Sequence, residues 1–157
     1  MGGFSINAKA SKRNQTFMLA LTFTIALLLL LVATICDFRS REIPDWISVV
    51  IAVVAIIASA AGWLGLGLPW VIAGGIVGLL VGYSLFQFAK LGGGDAKLIA
   101  SLGLLLGPIG IFILLFGMAI FGGVLSLVAM FRGQRDYAYV PAITVGFIWY
   151  IGFVSLV

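Results

Sequence analysis

Apolar runs of roughly membrane-crossing length alternate along the whole chain with short polar or glycine-containing breaks. The first run extends from about Phe17 to Cys36 and ends at a polar link, Asp37 to Asp45. That link holds five of the fourteen charged residues in nine positions. A second run starts near Trp46 and fades around Trp63, and a short apolar turn, Gly62 to Pro69, leads to a third from about Trp70 to Ala89. Lys90 and Gly92-Gly93-Gly94 break the third run. Beyond Lys97 no charge appears until after Phe131, too far for one helix to cross a bilayer core of about 30 Å, which takes roughly 20 residues. Gly107-Pro108 is the natural break, giving a fourth span up to about Leu106 and a fifth from about Ile109. Arg132 to Tyr139 is polar again, and Pro141 opens a sixth span. Six spans is the best count, with five or seven as alternatives.

Composition supports this pattern. The chain is 63% hydrophobic and 9% charged, whereas soluble domains run near 45–50% apolar and about 25% charged. The fold expected is all-α, a polytopic transmembrane bundle. Residues 1–16 form a polar, basic tail, and 17–157 a single membrane domain. Lys9, Lys12 and Arg13 resemble the start of a secretory signal, but the run that follows is of span length and lacks a small-residue cleavage site. A retained helix is expected there.

Several chemistries drop out. With no histidine, Ser-His triads, His-ligated metals and histidine proton relays are excluded. Cys36 is the sole cysteine, so neither an internal disulfide nor a thiolate zinc cluster can form. The net charge of +4 is no nucleic-acid signal, because the basic residues flank spans and orient helices. No metal or organic cofactor is implied. The links after the first, third and fifth spans carry Arg39, Arg41, Lys90, Lys97, Arg132 and Arg135, against three basic residues in the tail. This asymmetry favours a cytoplasmic face for those links and an outside N-terminus. Asp37 and Asp95 fall on one side of the membrane under either orientation.

Those two aspartates are the candidate catalytic residues. A carboxylate at the C-terminal end of a helix faces the negative end of the macrodipole. Asp37 is therefore misplaced on a helix, unless the helix has already ended and Asp37 is a solvated neighbour of Arg39 and Arg41. Asp95 could simply cap the fourth span. The preceding Gly92, Gly93 and Gly94 suggest more, since backbone without Cβ atoms can take positive φ and pass close to another chain. Two carboxylates brought together share a proton, so one can take a proton from water while the other donates to a carbonyl. That is the requirement of an aspartic peptidase.

Asp37, then Ile43-Pro44-Asp45, then Gly92-Gly93-Gly94-Asp95-Ala96-Lys97, resembles the type IV prepilin peptidase family, the GxGD aspartyl peptidases of the bacterial inner membrane. In that family a first aspartate follows a span and precedes an Ile-Pro-Asn-like helix start. The second belongs to GxGD, usually with lysine two positions on. Asp45 stands where Asn is commoner. The resemblance implies catalytic Asp37 and Asp95, with Gly92, Gly93, Gly94, Lys97, Ile43 and Pro44 supporting or binding substrate. It also implies cleavage of prepilins, which carry a basic leader and a hydrophobic helix, at the cytoplasmic face after a glycine. The long members carry zinc-binding cysteine pairs and methylate the new N-terminus. Without such pairs, this chain resembles the short form associated with tight-adherence (Flp-type) pili.

Other readings use the same residues. Lys97 could act on Asp95 or anchor the helix at the interface, and Lys97 with Ser101, at i and i+4, makes a Ser-Lys dyad formally possible. Glu42 and Asp45 could meet a basic leader or be solvated. From another functional class, a small cation- or proton-coupled transporter would use the aspartates as an ion site and the glycines as a broken-helix hinge. A structural assembly subunit would use Asp95 only as a cap. Gly74-Gly75, Gly78 and Gly82, with Gly103 and Gly107, predict close helix packing in lipid.

Overall fold

A computed structural model of the protein describes residues 3–40, 43–89, 92–131 and 140–156. Among these it has five helices: α1 (Gly3–Ser40), α2 (Asp45–Ala60), α3 (Leu68–Ala89), α4 (Gly93–Phe131) and α5 (Val140–Leu156). Arg41, Glu42, Lys90, Arg132 and Arg135, which the sequence puts in the links, lie outside the described residues. Segments Ser11–Ser40, Leu68–Phe88 and Gly93–Val128 are long and apolar enough to cross a membrane, and α2 and α5 are shorter apolar helices. Large apolar side chains such as Phe17, Ile35, Ile76 and Phe116 cover the outside of the bundle. A water-soluble fold would not expose so much apolar surface.

The helix count reconciles with the six predicted segments at Gly107. This residue has φ 71° and ψ 178° and interrupts α4 immediately before Pro108. Residues with a Cβ scarcely populate that region of backbone space, and proline contributes no N–H to continue the ladder. Two arms result, one ending at Leu106 and one starting at Pro108. Their directions follow from the contacts. The first arm runs antiparallel to α3, with Gly82 against Ala96 and Gly74 against Gly103. The second runs antiparallel to α5, because Gly110 lies against Tyr150 while Gly122 lies against Ala142. α5 itself begins beside Asp37, so the chain turns back at Gly107 toward the aspartate end.

α1 runs further than its apolar stretch. Its helix takes in residues 3–16, the basic segment expected as a separate tail, and extends to Ser40. Gln15 Nε2 donates to the Gly62 carbonyl at 3.0 Å, which ties this end of α1 to the α2–α3 turn. From Gln15 to Asp37 the helix rises about 33 Å at about 1.5 Å per residue, close to the thickness of the bilayer core.

The core is built around the first arm of α4. Leu98, Ile99, Leu102 and Leu105 are fully buried and share one apolar cluster with Ile47 and Ile51 of α2, Ile143 and Phe147 of α5, and Ala26, Leu30 and Ala33 of α1. α3 joins through glycine. An added Cβ at Gly78 would lie 2.7 Å from the Ile99 carbonyl oxygen, and one at Gly82 would lie 2.8 Å from that of Ala96. Only glycine permits this backbone approach, and dispersion across it replaces the hydrophobic drive that lipid cannot supply. The small-residue positions identified in the sequence therefore serve helix packing.

Candidate active site

Helical periodicity turns both aspartates inward. On α1 the buried positions Ala26, Leu30 and Ala33 continue at spacings of three and four to Asp37, which is 8% exposed. On α4, Asp95 precedes Leu98, Ile99 and Leu102 on the same face and is 6% exposed. Residues three and four apart share a helix face. Each carboxylate is thus the last polar tooth of an apolar stripe. The solvated-loop account of Asp37 is overturned: it lies on α1 and is buried.

The two side chains line one cleft of about 260 Å³ with Ile43, Asp45, Gly92, Gly93 and Gly94. Asp37 Oδ2 accepts the backbone N–H of Val140 at 3.2 Å. Val140 is the first residue of α5, so the positive end of that helix offsets the unfavourable position of Asp37 at the end of α1. A hydroxyl pair one turn away, Thr34 Oγ1 and Thr144 Oγ1 at 2.9 Å, holds α1 against α5 there. Asp95 Oδ2 accepts the Gly92 N–H at 3.2 Å, while the Gly92 carbonyl accepts from Ala96 N, also at 3.2 Å. Gly92 therefore occupies the cap position, and Asp95 reaches back to it as the third residue of a capping box does. The capping account of Asp95 holds for this oxygen. Its other oxygen, Oδ1, is buried and has no hydrogen-bond partner among the described residues. A buried acceptor left in that state is costly unless another molecule meets it.

The glycines differ in what they do. Gly92, Gly93 and Gly94 are not among the positive-φ glycines, which among the described residues are Gly62, Gly65 and Gly107. Close approach is the operative property, and it applies unevenly. A Cβ on Gly94 would lie 3.1 Å from Ile43 Cβ, and one on Gly92 would lie 3.1 Å from Asp95 Oδ2. One on Gly93 would meet nothing within 4 Å. Ile43 thus sits in the cleft wall against Gly94. Pro44 is the cap residue of α2, at φ −61° and ψ 124°, and its carbonyl accepts from Ile47 N.

Lys97 is not at the cleft lining. Its Nζ pairs with Asp45 Oδ2 at 2.6 Å, with both side chains more than half exposed. Ser101 is buried and donates to the Leu98 carbonyl at 2.8 Å. The two halves of a Ser-Lys dyad are therefore committed to other partners. Asp45, read from the sequence as a leader contact or a solvated residue, lines the cleft. One participant was not singled out from the sequence. The start of α5 supplies a donor to Asp37, and no local motif announces it.

Comparison with curated proteins and with solved structures finds no match. The model of the type IV leader peptidase family matches residues 24–127, a stretch that contains Asp37, the α2 start, the glycine-aspartate turn and the break at Gly107. That match spans about two thirds of the chain, and the protein belongs to the type IV leader peptidase family.

Proposed function

We propose that the protein is a membrane-embedded aspartic endopeptidase that removes the leader of Flp-like type IV prepilins at the cytoplasmic face of the inner membrane. The observation that carries this reading is the pair of buried aspartates, 58 positions apart in sequence, on the wall of one small cleft. Each is held through Oδ2 by a backbone N–H, a restraint that fixes the carboxylate and leaves the remaining oxygen for chemistry.

In this mechanism the two carboxylates hold one proton between them, since two close negative charges are not favourable together. The ionised member takes a proton from a water in the cleft as the water oxygen attacks the scissile carbonyl carbon. The protonated member gives its proton to the carbonyl oxygen. A tetrahedral diol forms; as it collapses, one diol hydroxyl gives its proton to the ionised aspartate while the carbonyl re-forms, the C–N bond breaks, and the other aspartate gives its proton to the leaving nitrogen. The dyad returns to its starting charge. The buried, unpartnered Oδ1 of Asp95 suits a group whose partner arrives with water or substrate.

The test is co-expression of an Flp-type prepilin with the wild-type enzyme, Asp37→Asn and Asp95→Asn, reading leader loss as a mobility shift. Loss of processing in both variants at normal membrane abundance is expected. Full processing by either variant overturns the two-aspartate mechanism.

A further inference from the structure

Beside the aspartate cleft lies a second concavity, a groove of about 530 Å³ on the apolar flank of the bundle. It runs between α2, α3 and the first arm of α4. Val49 and Ile76 form part of its walls, with Ala52, Gly75 and Ala100 among the small residues between them. Asp45 lines both the groove and the cleft, so the two spaces meet at the start of α2. The exposed Lys97–Asp45 pair stands at that junction. Ser48, 6% exposed, also lines the groove, and its Oγ has no hydrogen-bond partner among the described residues.

We propose that this groove seats the apolar helix of the precursor protein, with the leader passing over Asp45 into the cleft. The inference rests on the leader-peptidase reading and adds to it where on this molecule the substrate binds. Polarity carries the assignment. Among the described residues the cleft lining holds three aspartates and no basic side chain; with Asp45 paired to Lys97 and one proton on the dyad it keeps a net negative charge, which complements a basic leader. The groove next to it is almost wholly apolar, which complements the hydrophobic helix that follows such a leader. The order of the two surfaces across Asp45 matches the order of the two substrate segments. Small residues between bulkier walls let a second helix come close, the arrangement by which helices associate in lipid. The buried, unpartnered hydroxyl of Ser48 supplies one polar contact for the incoming backbone or a small polar side chain.

Disulfide trapping tests this directly, because Cys36 is the only cysteine to remove. In a Cys36→Ala, Asp95→Asn background, Ala52→Cys and Ile76→Cys place a thiol in the groove. Phe112→Cys and Val154→Cys place one on exposed apolar surface elsewhere. The probe is a cysteine-free Flp-type prepilin carrying one cysteine, walked across two turns of its apolar helix, co-reconstituted and oxidised. The groove thiols should give at least tenfold more cross-link than the control thiols, with a three-to-four-residue period along the precursor. In parallel, Ala52→Trp should lower kcat/KM for that precursor at least tenfold. Equal or greater trapping at Phe112 or Val154, or no trapping in the groove, overturns the proposal if wild type still cleaves the precursor. The groove is then a lipid-chain site and the peptidase reading survives. Failure of wild type to cleave removes the peptidase reading, and this inference with it.

Discussion

At the scale of single residues, the cleft is small enough that side-chain length matters. Asp95→Glu retains the charge but carries the carboxylate one methylene further into a space of about 260 Å³. Its expected cleavage rate is close to that of Asp95→Asn, which a parallel processing assay would show. A cation site would keep part of its affinity after the same change. The glycines give a sharper contrast. Gly93→Ala, whose Cβ meets nothing within 4 Å, should leave the thermal midpoint in detergent unchanged. Gly94→Val should push against Ile43 and cost about 1–3 kcal/mol, the usual range for overpacking, with cleavage falling in proportion to the displaced α4 turn. Equal effects at the two positions would contradict the close-approach account. The exposed Lys97–Asp45 pair should add little stability: Lys97→Ala is expected to shift unfolding by less than about 1 kcal/mol.

At the scale of elements, the break in α4 is the feature most open to test. Gly107 adopts a φ of 71°, and a Cβ there would cost about 1–3 kcal/mol. Gly107→Ala should therefore lower the thermal midpoint in detergent, whereas Gly123→Ala, open on all sides, should not. This break was legible in the sequence because Gly107-Pro108 interrupts an otherwise uncharged run. The sidedness of the aspartates was legible too, since alternating spans return the ends of the first and third to one face. The inward orientation was not. Nearly every residue of the run that precedes Asp37 on α1 is apolar, so no amphipathic contrast marks which face is buried. Only packing against α2 and α5 selects Ala26, Leu30 and Ala33 over the exposed Leu28, Leu31 and Ile35. The end of α1 was misjudged for a related reason. Charged residues after Cys36 look like loop, yet the helix runs through them to Ser40, with an inter-helix donor compensating Asp37. The broken helix of a transporter hinge is present in α4, but it lies at Gly107, at the end of the first arm away from Asp95.

At the scale of the whole molecule, the bundle brings a pair of acids together through elements that share no local motif. α1 delivers Asp37, α4 delivers Asp95, α2 contributes Ile43 and Asp45 from its approach and first turn, and α5 holds Asp37 from behind. In the proposed mechanism these acids act as one unit on one water. Residues that act as a unit are strongly non-additive: removing one costs about as much as removing all. The most direct measurement is cleavage of an Flp-type prepilin by purified, reconstituted wild type, Asp37→Asn, Asp95→Asn and the double variant. A loss of about 10³-fold or more is expected in each single variant, with the double variant no worse than either. Cleavage within tenfold of wild type in one single variant, or losses that multiply in the double variant, would contradict the mechanism.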